Sequence, residues 1–306
     1  LALLRSGELE RRVAEAYDRL EACDICAREC GVNRRLSAEG AGCRTGERAL
    51  VSSAGPHFGE EDPLVGSGGS GTIFFSWCNL RCQFCQNADI SQKGYGHEVE
   101  PEELAQMMLS LQAQGCHNIN FVSPSHVVPQ ILAGLLIAAE AGLHLPLVYN
   151  TGGYDSLSTL EDLLDGVVDI YMPDMKYADA DVARRYSKIS NYPAINQAAV
   201  KEMHRQVGDL TLGNRGVAQR GLLVRHLVLP EGLAGTAKIV RFLRDQVSPN
   251  TYINVMAQYR PCYRAHELPP LDRRITNDEY AEAVRLAEKA GLRLDERRPR
   301  LLWVWR

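Results

Sequence analysis

The chain has little that would commit it to a membrane, a nucleic acid or an oxidising compartment. Its longest apolar run, ILAGLLIAA at 131–139, is far short of the roughly 20 residues that a spanning helix needs. Basic residues are not in surplus: 34 Lys and Arg stand against 38 Asp and Glu, for a formal net charge of −4. That balance gives no global attraction to phosphate backbones or anionic lipid, so neither nucleic acid nor a membrane is expected as a partner. Near the start, no basic segment leads into a long apolar stretch and a small-residue cleavage site, so no secretory signal is expected there. Internal repeats and low-complexity tracts are missing too. The 45% hydrophobic and 24% charged content is ordinary for a globular chain able to bury a core.

What the chain does have is cysteine. Seven of its nine cysteines fall in two tight groups, and in a chain this long such spacing reads as metal binding rather than as a disulfide scaffold. A reducing cytoplasm is the expected compartment.

The first group is CDICARECGVNRRLSAEGAGC, with Cys23, Cys26, Cys30 and Cys43 spaced C-x2-C-x3-C-x12-C. Gly31, Gly40 and Gly42 allow the tight turns of a chain wrapped around a metal. With so few apolar residues between them, these thiols form a knuckle that depends on its metal to fold. A structural zinc and an auxiliary [4Fe–4S] cluster both fit, and the spacing does not choose between them. Ahead of the knuckle, Leu9, Val13, Ala16, Tyr17 and Leu20 at helical spacing predict an amphipathic helix over 8–22.

The second group is TIFFSWCNLRCQFCQN (72–87), which sets Cys78, Cys82 and Cys85 directly after a short apolar run. A disulfide would strand one of the three, and a four-thiolate zinc site would need a ligand from elsewhere. A cuboidal iron–sulfur cluster on three thiolates leaves one iron open to a substrate or cofactor, as a catalytic zinc keeps an open position.

Between the groups, 44–71 is rich in Gly, Ser and Pro and is expected to be mostly loop or short extended pieces. Beyond it, strand-like runs at 72–77, 118–123, 145–151, 167–174, 222–230 and 251–259 alternate with helix-like stretches near 101–115, 126–142, 157–165, 179–208, 234–247 and 276–290. Such alternation predicts parallel strands with right-handed crossovers. Six units fall short of the eight in a full barrel, so the expected fold is α/β, a partial, laterally open (β/α)6 barrel of the TIM type. Residues 1–70 would be an N-terminal helix and metal-binding extension, and 71–306 the barrel with its C-terminal helix and tail. Ligands in such folds gather at the carboxyl ends of the strands. There the sequence sets the three cysteines, then Ser123, Ser125 and His126, then Asn150 and Thr151, then Asp174 and Lys176, and Arg225 on the fifth strand.

The C-x3-C-x2-C spacing, with Phe84 before the last cysteine and Asn87 after it, resembles the signature of the radical S-adenosylmethionine (SAM) superfamily. Together with DPLVGSGGSGTIFF, the N-terminal knuckle and the MPDMK run of the fourth strand, it resembles the branch related to pyruvate formate-lyase activating enzyme, in particular its PflX-like group, over most of 20–260. That resemblance implies a [4Fe–4S] cluster on Cys78, Cys82 and Cys85 whose open iron chelates SAM. It implies reductive cleavage of SAM to a 5′-deoxyadenosyl radical, which abstracts a hydrogen atom from substrate. A glycine of a partner enzyme is one candidate substrate, and a small metabolite or ribosomal peptide is another. From a different class, a non-catalytic iron–sulfur or zinc protein remains an alternative. A low-potential electron donor, flavodoxin or ferredoxin, is implied.

By the same resemblance Phe84 lies near the adenine and Asp174 and Lys176 close to SAM. Thr151 and Met172 neighbour a cation site, and Arg225 or His226 approaches the ribose. One departure stands out. The activating enzymes hold the SAM amino group with a Gly-Gly-Glu element after the second strand, where this chain reads VSPSHV. Ser123, Ser125 or His126 is expected to take its place, since a hydroxyl oxygen or neutral imidazole accepts from an ammonium. The later Gly152-Gly153 pair reads as a turn.

Overall fold

The computed structural model describes residues 2–295; the expected C-terminal tail beyond them lies outside the described residues. In chain order the elements begin with α1 (Ala2–Arg5), α2 (Glu8–Asp18), β1 (Ala49–His57), α3 (Asp62–Val65), β2 (Ser70–Phe75), α4 (Ala88–Ser91) and β3 (His97–Val99). They continue with α5 (Pro101–Ala113), β4 (Ile119–Val122), α6 (Val128–Glu140), β5 (Leu147–Thr151) and β6 (Ile170–Pro173). Last come α7 (Ala180–Ser187), α8 (Tyr192–Val207), β7 (Thr211–Leu212), β8 (Ala218–Leu227), α9 (Thr236–Gln246), β9 (Tyr252–Met256), α10 (Asn277–Lys289) and β10 (Arg293–Leu294).

Local chemistry starts the helices where the sequence marks them. Pro101 opens α5, and Glu100 and Glu103 form a reciprocal capping box there, satisfying amides that have no partner inside the helix. Strands β2, β4, β5, β6, β8 and β9 pair in parallel, in chain order, as the alternation of short β-rich and longer amphipathic stretches requires. β3 and β10 terminate the main ribbon of strands, so the sheet stays open. This is the partial (β/α)6 barrel.

The period of two along each strand divides its residues between two faces. Tyr149 and Tyr171 join Leu104, Met108, Leu132 and Leu243 from the covering helices in the main core, to which α2 adds Leu9 and Ala16. On the inner face, Val148, Ile170, Met172 and Leu223 form an apolar tier closed by Leu64 of α3. Two residues further along the same strands stand Asn150, Asp174 and Arg225, facing a cavity. An apolar floor therefore carries a polar rim. No helix among the described residues is long and apolar enough to cross a membrane.

The structure departs from the sequence expectation in three places. Residues 49–57, expected as part of a loop-rich join, form β1, which pairs antiparallel with both β2 and β3. Its Ser, Gly and Pro content hides a strand whose hydrogen bonds come from β2 and β3 and whose outer half is largely exposed. That pairing ties residues before 70 into the same sheet as those after it. The helix expected over 179–208 is two helices, α7 and α8, broken where Lys188 turns left-handed at φ 61. The stretch near 157–165 is a six-residue π-helical segment, Thr159–Leu164.

Candidate active site

Beyond β2 the chain turns sharply through Trp77, whose φ of 65 is left-handed. A non-glycine residue there stores strain that its surroundings must offset. The Trp77 ring lies over Gly94, where a Cβ would come within 2.3 Å of it, and the Arg44 guanidinium stacks 5.0 Å from the ring centroid. The loop so fixed carries the three cysteines. Each sulfur has a hydrogen-bonding neighbour: Leu80 N–H donates to Cys78 Sγ at 3.4 Å, Ser187 Oγ meets Cys82 Sγ at 3.0 Å, and Ser91 Oγ meets Cys85 Sγ at 3.0 Å.

Burial, reinforced by neighbouring Cys82, pushes the Cys78 thiol up to about 12. Burial raises Cys82 as well, against the pull of the Lys176 ammonium. Without a positive centre to replace their protons, these two sulfurs stay neutral. All nine cysteines are free. Among the described residues no three His, Cys, Asp or Glu side chains gather closely enough to hold a single metal ion; a cuboidal cluster is a larger body than one ion.

The three cysteines line a cavity of about 240 Å³ together with Phe84, Asn87, Ser123, Asn150, Thr151, Asp174, Lys176 and Arg225. A charged network forms one wall. Asp174 accepts from Lys176 Nζ at 2.5 Å and from Arg225 Nε at 2.9 Å, while Arg225 Nη2 donates to Asn150 Oδ1 at 2.8 Å. Burial opposes ionisation of Asp174, but Arg225 and Lys176 overcome it and hold the carboxyl below its usual range. Burial likewise opposes the charge on Lys176, and the Asp174 carboxylate restores it. Phe84 forms another wall, fixed edge-on against Tyr177 and Tyr259 at centroid distances of 6.4 and 5.9 Å.

Four residues expected near SAM or the adjoining cation site stand outside the cavity lining. His126 is 1% exposed and its Nε2 bonds the Ser76 carbonyl at 3.1 Å. Burial drives its pKa down to about 3, so it is a neutral brace for the strand end. Ser125 sits behind Thr151, with their hydroxyls 2.9 Å apart. Of the VSPSHV run, Val122 and Ser123 reach the cavity, and Ser123 does so from a left-handed φ of 61. Met172 belongs to the apolar floor. His226 is buried between the Met175 carbonyl, at 2.8 Å, and Thr236 Oγ1, at 2.9 Å.

Two carboxylates escaped the sequence reading. Asp155 accepts from Thr151 Oγ1 at 2.8 Å and Tyr149 O–H at 3.0 Å, anchoring the wall from behind. Glu60 Oε2 lies 3.9 Å from Arg225 Nη1. Neither has a motif around it. The turn at Gly152-Gly153 is tightly fitted: a Cβ on Gly153 would come within 2.2 Å of both Asn196 Nδ2 and the Asp174 carbonyl.

A larger groove of about 570 Å³ between α7, α9 and α10 contains no comparable set of thiols and paired charges, so chemistry rather than volume singles out the cysteine cavity. The model of the radical SAM superfamily matches residues 72–243. The chain is 34% identical over 302 residues to the uncharacterized protein MJ0674 of Methanocaldococcus jannaschii, covering 96% of this chain and 82% of that one. A shorter match, 28% identical over 114 residues, joins 36% of this chain to 46% of pyruvate formate-lyase-activating enzyme from Clostridium pasteurianum. Among solved structures, methylornithine synthase (PylB) aligns over 94% of this chain and 80% of its own at a TM-score of 0.45 and 13% identity, a likeness too loose to carry an argument. The family match covers more than half of the chain, includes all three loop cysteines and runs through β4, β5, β6 and β8 beside the cavity: the protein belongs to the radical SAM superfamily.

Proposed function

We propose that the protein is an activating-enzyme-like radical SAM oxidoreductase, which abstracts a hydrogen atom from a carbon of a protein or peptide, a glycine of a partner enzyme being the first candidate. The observation that carries this reading is the convergence of Cys78, Cys82 and Cys85 with the Lys176–Asp174–Arg225 network on one cavity. The partial similarity to pyruvate formate-lyase-activating enzyme and the open sheet, which leaves access for a loop, support a protein substrate.

The residues fit the groups that the family implies. Cys78, Cys82 and Cys85 supply three thiolates, and the amide and hydroxyls beside their sulfurs favour the ionised form. A [4Fe–4S] cluster held by Cys78, Cys82 and Cys85 would supply the electron for reductive cleavage of bound SAM, the source of the hydrogen-abstracting chemistry. Ser123 and Asn150 offer oxygen acceptors to the SAM ammonium and Thr151, its hydroxyl engaged by Asp155, Gly153 and Ser125, lines the site beside them, while Lys176 and Arg225 offer donors to its carboxylate and ribose. Asp174 keeps those two cations fixed in place. Phe84 presents an immobilised ring to the adenine, and Asn87 stands at the end of the cysteine loop to meet it. Leu80, Val122, Leu227 and Met256 exclude water around the reacting carbon.

A low-potential donor such as flavodoxin or ferredoxin supplies the electron in a reducing cytoplasm. The same reading gives the chain a second metal centre, iron–sulfur or zinc, at Cys23, Cys26, Cys30 and Cys43. The modest cavity also favours a second reading, in which the substrate is a small metabolite. Deuterium transfer decides: label passing from a glycine-deuterated candidate protein into 5′-deoxyadenosine supports the activase reading, and label arriving only from a small molecule replaces it.

A further inference from the structure

The N-terminal cysteines approach the catalytic loop from behind. Cys26 forms a backbone bridge with Asp155, which lays the knuckle along the segment after β5. From two residues further on, the Ile25 and Arg28 amides favour ionisation of Cys23 and Cys26, the same offset at which Leu80 N–H donates to Cys78 Sγ.

Arg34 is buried among these thiols at 1% exposure. Its Nε donates to the Thr45 carbonyl at 2.7 Å, its Nη2 to the Gly46 carbonyl at 3.2 Å and its Nη1 to Cys23 Sγ at 3.5 Å. Those partners are two neutral carbonyls and a thiol. Among the described residues no carboxylate forms an ion pair with Arg34. A guanidinium does not shed its proton, and a buried charge left uncompensated is strongly destabilising. Nearby, Arg28 Nη2 is a buried donor with no hydrogen-bond partner. The negative charge that answers these cations must come from the cysteine sulfurs, and buried thiols ionise together when a metal replaces their protons.

We propose that Cys23, Cys26, Cys30 and Cys43 bind a metal centre as a tetrathiolate dianion, half of whose charge is offset by the buried Arg34. This rests on the second-centre reading given above and adds its counter-charge and its setting. A [4Fe–4S] cluster on four thiolates is a dianion and suits sulfurs that stand too far apart for one ion; a zinc ion would have to draw them together and would carry the same charge. The centre adjoins the catalytic loop. Arg28 Nε donates to the Asn79 carbonyl at 2.7 Å, Asn79 Nδ2 donates to the Tyr154 carbonyl at 2.6 Å, and Asn79 Oδ1 lies 3.8 Å from Cys78 Sγ. Arg81 reaches back from the loop to the Gly42 carbonyl.

The test uses the full chain with Cys78, Cys82 and Cys85 changed to Ala, reconstituted anaerobically and analysed for zinc, iron and sulfide. About one zinc, or one complement of iron with sulfide, should remain; a chain holding neither overturns the second-centre reading and this inference with it. Arg34→Met and Arg34→Lys are then introduced into that background. Loss of the metal in R34M with retention in R34K supports the counter-charge. Wild-type occupancy and chelator resistance in R34M overturn it while leaving the second centre standing. Because R34M can fail to fold, R34K is decisive alone: metal loss from a folded R34K as complete as in Cys26→Ala also overturns the role of charge. Electron paramagnetic resonance of the reduced native chain separates the two metals, since neighbouring clusters broaden each other's signals and zinc leaves one sharp cluster signal.

Discussion

Asp174 stays ionised between two cations at a place where burial alone would neutralise it, and it keeps Lys176 charged. Its removal should therefore cost more than a hydrogen bond. Asp174→Asn is expected to destabilise the protein by about 3–5 kcal/mol, the cost of stranding a buried partner, read from denaturant unfolding, and to weaken SAM binding as well. The pH dependence follows from the direction of the shift. Since the folded carboxyl titrates below its unfolded value, its contribution is complete above the ordinary carboxylate range, near pH 4, and is lost as pH falls through the depressed folded value. Asp155 works in the opposite sense. Burial raises its folded value, so its contribution is full below the ordinary range and fades as pH rises through the raised one. In D174N the acid-side loss of stability should be shallower than in wild type; an unchanged profile would remove Asp174 from the linkage.

The hydroxyls beside the sulfurs of the cysteine loop yield a second residue-scale expectation. Reduction adds negative charge to a cluster, and hydrogen bonds to its sulfurs stabilise that charge. Ser187→Ala and Ser91→Ala should each shift the cluster potential to more negative values in a titration followed by electron paramagnetic resonance, with the C78A/C82A/C85A chain as the blank. At this scale the cysteines, Asp174 and Lys176 were legible because motif and strand-end position coincide. Asp155 and Glu60 were not, because their partners come from other segments and no local pattern marks them. The misplacement of His126 has the same origin: counting along the chain puts it after a strand, but only packing decides that its ring turns toward the Ser76 carbonyl.

At the scale of elements, the polar rim sits where it does because Asn150, Asp174 and Arg225 follow Val148, Met172 and Leu223 by two residues on adjoining strands. Turning one strand end should move the rim. Gly153, at φ 75, lies against Asn196 and the Asp174 carbonyl; Gly153→Ala is expected to cost about 2–6 kcal/mol from strain and overpacking together, and to weaken SAM binding by displacing Asp174. Gly142, at φ 96 with nothing within 4 Å, is the control, and its Ala variant should lose only about 1–2 kcal/mol. Equal losses at the two positions would show that the close fit around Gly153 is unimportant. Six parallel strands were readable from the alternation of short and long apolar patterns. Strand β1 was not, since half of it is exposed and its pairing comes from β2 and β3 rather than from its own propensity. The break between α7 and α8 was also hidden, although Pro193 at the start of α8 is a signal that a stricter reading would have used.

At the scale of the molecule, an open sheet carries a cysteine loop at one end, and a cysteine-rich extension packs behind that loop rather than standing apart from it. Changing Cys78, Cys82 and Cys85 together to Ala should abolish SAM cleavage while leaving the knuckle's metal in place; joint loss of both would merge the two sites into one. The most direct test of the whole account is reductive cleavage of SAM by the anaerobically reconstituted protein with a low-potential reductant. It should give 5′-deoxyadenosine and methionine with the native chain and neither with the triple variant. A fully loaded cluster that forms no 5′-deoxyadenosine, with a competent reductant and candidate substrates present, would contradict it.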